Sequence, residues 1–267
     1  MASENVVSIA QAVSAPQFQQ AICETHGPYQ QKLTKILTKV FSSPCPVCHA
    51  EQQARELEER TAKERWQRRM DMNIRLGSAA IPKRFESKCF EDYKAVSRGQ
   101  VKALEACIDF AENFEKHSDA GRCLMMLGTP GAGKSHLGTA IANHVIKHRG
   151  ATAVYRTIGS VFQAIRDSYG DQSSKTEGQI LEPLIRADLL VLDEVGVSKE
   201  QPSDFELRTT FAIINGRYEQ KLPTVIISNL CVDEVKVALG ERSADRLREG
   251  GVIVLLFNWP SERGAIQ

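Results

Sequence analysis

No run of the roughly 18 apolar residues that a membrane span requires occurs anywhere in the chain, so a membrane role is not expected. The opening stretch, MASENVVSIAQAVSAPQFQQ, lacks the basic and apolar regions of a secretory signal, and a cytoplasmic protein with reduced thiols is expected. Net charge is almost missing: 34 Lys and Arg against 33 Asp and Glu leave +1. That excludes global attraction to nucleic acid, and any DNA contact must come from a local patch. Internal repeats and low-complexity tracts are absent too. In a reducing compartment the seven cysteines are poor evidence for disulfides, so the question becomes which bind metal and which are buried.

What is present is a chain of 267 residues with 42% hydrophobic and 25% charged content. That is enough for one α/β domain and a smaller appendage. Residues 1–50 contain two Cys/His clusters flanking a stretch with Leu33, Ile36, Leu37, Val40 and Phe41, which suggests a small module. Residues 51–80 are charged, and Ala62, Trp66, Met70 and Ile74 recur every four residues as one stripe of a linker helix ending near Gly77. The stripe can dock a partner helix or pack on the following domain. Ile81-Pro82 then forces an extended turn, and the third unit runs over 81–267. It opens with a helix expected around 99–117. Five apolar runs follow, at Cys123–Leu127, Thr152–Thr157, Leu189–Leu192, Thr224–Ser228 and Val252–Phe257, with helical stretches between them. Strands alternating with helices predict a parallel sheet covered on both faces.

The strongest chemical signal is Gly128-Thr129-Pro130-Gly131-Ala132-Gly133-Lys134-Ser135, which follows a strand and opens a helix. This GxxxxGK[ST] spacing lets backbone N–H groups converge on phosphate oxygens at a helix N-terminus. Lys134 is expected to reach the β- and γ-phosphates of ATP, and Ser135 to ligate Mg²⁺. An apolar strand then ends in Asp193-Glu194. An acid at the carboxyl end of a parallel strand sits where ligands bind, although such an ending can also be a plain strand exit. After a complete P-loop, Asp193 suits the Mg²⁺ shell and Glu194 the polarisation of the attacking water. Asn229, at the end of the fourth strand, can orient that water or simply end the strand. Arg242, Arg246 and Arg248 lie in a basic, helical stretch able to stabilise phosphoryl charge or to form a surface ion-pair face.

Cys23-x-x-His26 and Cys45-x-x-Cys48 supply four ligands in two close pairs, the usual build of a tetrahedral structural Zn²⁺ site, with unrelated surface thiols as the other reading. His49 competes with His26 or Cys48, against awkward geometry. Cys89, Cys107, Cys123 and Cys231 lack paired spacing and are expected to be buried. His136 is expected to pack rather than catalyse. Phe162, Arg166, Tyr169 and Lys175 interleave aromatics with positive charge as a single-strand binder does, though helix packing explains the aromatics equally well.

The ordered set GTPGAGKSHL, LLVLDEVG, TVIISN, GERSADRLREGG and VLLFNWPSERG resembles the DnaC family of replicative helicase loaders and the related transposition ATPase IstB, over about 81–264. IPKRF…CFEDY resembles the family's entry into its ATPase domain. The resemblance implies that the N-terminal module contacts the helicase, and its paired-cysteine form is similar to that of phage or prophage loaders. The resemblance implies an AAA+ P-loop fold with a parallel five-stranded sheet, spiral self-association, binding of single-stranded DNA, and delivery of a hexameric, DnaB-like helicase with hydrolysis driving release. It implies sensor 1 at Asn229, an arginine finger at Arg246 with Arg242 as its rival, and a sensor-2-like Arg263. On the IstB side it implies action with a transposase on duplex DNA.

Overall fold

The expected alternation of strands and helices closes into one parallel sheet in a computed structural model, which describes residues 15–36, 38–170, 175–196 and 201–261. Leu37 and Arg263 lie outside the described residues. The chain divides into two compact units, Met1–Arg69 and Met70–Gln267.

In the first unit β1 (Gln17–Cys23), β2 (Gly27–Ile36) and β3 (Lys39–Ser42) form an antiparallel sheet in that order. Helix α1 (Pro46–Ser78) starts earlier than the charge pattern suggests, because a proline is tolerated in a first turn whose N–H groups are unpaired anyway. The helix ends at Ser78, next to Gly77 as expected. Its exit is marked by Ala80, whose φ of 51° is left-handed. Among the described residues of the first unit, Cys45 alone is buried, so this sheet has almost no apolar core.

The second unit holds five strands: β4 (Cys123–Gly128), β5 (Ala153–Thr157), β6 (Leu189–Asp193), β7 (Thr224–Ser228) and β8 (Val252–Phe257). Their order is β5-β6-β7-β4-β8, and every pairing is parallel. The five strands match the apolar runs of the sequence to within a residue, because the inner strands of such a sheet are covered on both faces and read as continuous hydrophobic stretches. Side chains alternate as the pleat requires. Leu124 and Met126 enter one core layer with Leu137, Ile141 and Val145, while Met125 and Leu127 enter the other with Ile165, Leu190 and Ile213.

Helices α2 (Arg98–Glu112), α3 (Phe114–Asp119), α4 (Lys134–His148), α5 (Ile158–Ser168), α6 (Glu177–Arg186), α7 (Asp204–Glu219), α8 (Val232–Leu239) and α9 (Glu241–Glu249) cover the sheet. Capping boxes with a hydroxyl N-cap start three of them: Ser97 with Gln100, Thr176 with Gln179 and Ser203 with Glu206. The single helix expected over 99–117 is two. Asn113 leaves helical geometry at ψ 30°, and its side-chain amide donates to Asp109 at 2.8 Å, the local competition that makes Asn a poor helix interior. Cys107 and Cys123 are buried as expected, but Cys89 is half-buried and Cys231 is exposed. Cys231 occupies the N-cap of α8, a position that faces water.

Arg217 on α7 is fully buried, and its guanidinium donates to the carbonyls of Leu184 (2.7 Å), Ala187 (2.7 Å) and Pro223 (2.6 Å) and to the Thr224 hydroxyl (2.9 Å). It pairs the carbonyls at the end of α6, each of which costs about 1–3 kcal/mol if buried without a donor. Burial lowers its pKa to about 10, still far above neutrality. Among the described residues no helix is long and apolar enough to cross a membrane.

Candidate functional site

Strand β4 delivers the chain into the glycine-rich loop at its carboxyl end. Gly128 has φ of 118°, and the Phe257 carbonyl of the neighbouring β8 lies where a Cβ would stand, so only glycine fits. Gly133 (φ 93°) is the N-cap of α4 and makes no side-chain cap, leaving the first N–H groups of that helix aimed into the loop. Such a helix start is an anion-binding cradle. Lys134, 5% exposed, folds over the loop and donates to the carbonyls of Gly128 and Thr129, both at 2.7 Å.

The next residue joins the loop to β6. Ser135 Oγ donates to Asp193 Oδ2 at 2.8 Å, and Asp193 Oδ1 accepts the Glu194 N–H at 2.7 Å. A third group reaches the same carboxylate: the Tyr155 hydroxyl donates to Oδ2. Tyr155 is buried, and burial first, then the adjacent Asp193 charge, pushes its pKa well above the ordinary phenol value. It therefore stays a proton donor. Its strand is legible in the sequence but its role is not, because only the β5-β6 adjacency brings it beside Asp193.

Glu194 is exposed and left-handed at φ 59°, a conformation that costs a non-glycine residue about 1–3 kcal/mol. Together with Asn229 it lines a cleft of about 760 Å³ walled by α5, α7 and α8. The fold thus brings Ser135, Asp193 and Glu194 into one linked group and puts Asn229 on the cleft that Glu194 enters. The arginines lie elsewhere. Arg246 stacks 4.9 Å over the Tyr218 ring and pairs with Glu249 at 3.2 Å. It adjoins Gly121, Cys123 and Thr224, the strand ends remote from the glycine-rich loop. Arg242 is exposed on the same helix and lines a separate groove formed with α8 and β8.

Two further aromatics hold the loop, through contacts that no local pattern in the sequence signals. Trp259 Nε1 donates to the Ala132 carbonyl at 3.0 Å, and the Tyr93 hydroxyl donates to the same oxygen at 3.3 Å. A Cβ on Gly133 would stand 2.5 Å from the Tyr93 ring. His136 packs edge-on against that ring and bonds the Cys89 carbonyl at 2.9 Å, in keeping with a packing role. Trp259→Phe keeps most of the aromatic volume and removes one donor. It is expected to weaken nucleotide affinity about fivefold, read by titration with a fluorescent ATP analogue. Phe162 is buried against Phe205, and Arg166 stacks on Phe205, so packing accounts for that part of the aromatic-basic pattern.

In the first unit the end of β1, the following turn and the start of α1 bring together Cys23, His26, Cys45 and Cys48, with ligand atoms all within 4.8 Å of one another. Cys23 and Cys48 sulfurs are 3.5 Å apart, and His26 Nδ1 is 3.8 Å from Cys23, 3.9 Å from Cys45 and 3.2 Å from Cys48. Tetrahedral zinc with S and N ligands spaces its ligand atoms by roughly 3.5–3.8 Å, so the donor set and its size fit that ion. Backbone N–H groups of His26 and Thr25 lower the Cys23 thiol to about 6, favouring the ligating thiolate. Glu51 Oε1 lies 3.3 Å from His26 Nε2, which places the imidazole proton on that nitrogen and leaves Nδ1 free to ligate. Glu51 sits one helical turn after Cys48, and no ligand-spacing pattern marks it in the sequence. His49 is exposed and outside the cluster.

A protein-family profile described as IstB-like ATP binding protein matches residues 50–246. The chain is 33% identical over 205 residues to the replicative helicase loader DnaC of Escherichia coli (strain K12), covering 77% of this chain and 81% of that protein. It is 34% identical over 194 residues to the replicative helicase loader DnaC of Buchnera aphidicola subsp. Schizaphis graminum, covering 73% and 76%. The crystal structure of the DnaC helicase loader matches the fold with a TM-score of 0.58 at 22% identity, over 66% of this chain and 99% of that one. The crystal structure of DnaI does so with 0.56 at 21% identity, over 69% and 95%.

Proposed function

The chain belongs to the IstB-like ATP-binding protein family, with DnaC helicase loaders among its curated relatives, and from that premise we propose that it is an ATPase that loads a hexameric replicative helicase onto single-stranded DNA. The observation that carries this reading is the likeness to DnaC through four-fifths of that protein's length. The linked Ser135–Asp193–Glu194 group at the glycine-rich loop supports the chemistry.

In this reading the N–H groups of the loop and of α4 hold the ATP phosphates, and Lys134 exchanges its loop carbonyls for β- and γ-phosphate oxygens. The Ser135 hydroxyl and Asp193 hold Mg²⁺, which neutralises phosphate charge, and Tyr155 fixes the carboxylate's orientation. Glu194 accepts the proton of the water whose oxygen attacks the γ-phosphorus as the bond to ADP breaks, and Asn229 orients that water. Arg246 acts on the nucleotide of a neighbouring subunit, with Arg242 as its rival, and Arg263 serves as a sensor-2-like residue. ATP binding favours a spiral assembly on DNA, and hydrolysis releases it. Cys23, His26, Cys45 and Cys48 hold a structural Zn²⁺.

The test is ATP-dependent co-assembly of the purified protein with its host's replicative helicase, followed by light scattering. The parent is expected to form a defined co-complex that changes with ATP, and Lys134→Ala to lose the ATP-dependent change. The family profile's IstB-like description keeps a second reading open, a transposition ATPase acting with a transposase on duplex DNA. Failure to engage the helicase in any nucleotide state would favour it.

A further inference from the structure

Among the described residues, nothing packs on one face of the small antiparallel sheet. Residues paired across neighbouring strands share a face, so the pairs Phe18–Lys32, Ile22–Pro28, Thr34–Phe41 and Ile36–Lys39 all belong to this side. Phe18 is 60% exposed, Phe41 53% and Ile22 83%. Lys32 and Lys39 are exposed among them. No carboxylate shares the face: Glu24 is the single acidic residue between positions 15 and 50, and it lies in the β1–β2 turn.

The arrangement across the sheet is aromatic, cation, aromatic. Phe18 stands on one outer strand directly opposite Lys32 on the central strand, and Phe41 stands on the other outer strand, one same-face position along. Outer strands lie about 10 Å apart across a central one, so the rings offer two separate flat surfaces with an ammonium between them. Protein–protein interfaces deplete lysine at their centres, since covering an ammonium demands a buried partner carboxylate. A nucleic-acid backbone meets the same lysine with a phosphate that stays wet. Rings that stack on bases need bases already splayed out of a duplex.

We propose that this face of the N-terminal sheet binds single-stranded DNA, with Phe18 and Phe41 stacking on bases and Lys32 and Lys39 pairing with phosphates. The contact needs neither nucleotide nor helicase, so it stands or falls separately from the loader reading.

The experiment is fluorescence anisotropy of a labelled oligothymidylate with the full-length, zinc-loaded protein and no nucleotide. It compares the parent with Phe18→Leu, Phe41→Leu and Lys32→Gln, each checked for unchanged zinc content and melting. Leucine keeps apolar area but offers no π face. Each Phe→Leu change is expected to weaken binding about tenfold. Lys32→Gln is expected to flatten the log–log salt dependence by about 0.7, the increment for one single-strand phosphate contact. An unlabelled duplex is expected to compete poorly. The proposal is overturned if the leucine variants bind like the parent, or if duplex competes as well as single strand. It is equally overturned if those variants keep DNA binding and lose helicase co-assembly, which would make the face a protein dock.

Discussion

Arg246→Ala is expected to leave ATP binding near the parent value while lowering DNA- and helicase-stimulated hydrolysis by about a thousandfold, the lower end of what a trans-acting arginine contributes to phosphoryl transfer. The reason is positional. Arg246 pairs with Glu249 and stacks on Tyr218, beside strand ends remote from its own glycine-rich loop, so any part it takes in hydrolysis must fall on a loop of another subunit. Its loss removes one exposed cation–π contact, about 0.5–1 kcal/mol, too little to unfold the chain. Mixing supplies the decisive measurement. Arg246→Ala and Lys134→Ala subunits, each inactive alone, are expected to recover part of the stimulated hydrolysis when combined, because some interfaces then join an intact loop to an intact arginine. No recovery would show that Arg246 does not act across subunits. If Arg242→Ala shows the collapse and Arg246→Ala does not, the finger is Arg242.

Stripping zinc is expected to have an effect as large on the other unit. With Cys45 its one buried described residue, the three-stranded sheet has too little apolar burial to hold itself together. Structural zinc bound by such ligand sets supplies about 10–16 kcal/mol, which then appears as folding free energy. Cys48→Ser or a strong chelator should therefore abolish hydrogen-exchange protection over residues 17–42 while nucleotide binding by the second unit persists. Protection in the sheet that survives complete chelation would refute the zinc assignment. The Cys23 thiol, lowered to about 6, adds that acidification should release the ion less readily than a ligand set of ordinary thiols would, because that thiolate resists protonation to lower pH.

Features whose physics is local in sequence were the legible ones. The glycine-rich loop, the buried strands and the Cys/His pairs each announce themselves within a few residues, because turn geometry, burial on both faces and ligand spacing are local demands. Features created by sheet order were not. Tyr155 reads as one more strand residue until β5 is known to lie beside β6. Trp259 and Tyr93 are 166 positions apart yet share one acceptor, the carbonyl of Ala132. Arg217 looks like an ordinary polar position on a helix, and only the meeting of α6, α7 and β7 makes it a fully buried carbonyl clamp. The break at Asn113 was missed for another reason: apolar spacing continues across it, and a side-chain hydrogen bond rather than a change of pattern ends the helix.

The shared bond at Ala132 bears on how this protein can be divided. Every letter of the glycine-rich motif lies between positions 128 and 135, so a fragment trimmed to the sheet's own edges would look complete. Yet the loop's shape is held from both sides by residues that precede the first helix of the second unit and follow its last strand. A fragment beginning after Tyr93 or stopping before Trp259 would keep the whole signature and lose one of the two donors that shape it. Deletion mapping would then register weak nucleotide binding and blame a missing segment for a contact, when the lost element is a strut beneath the motif itself.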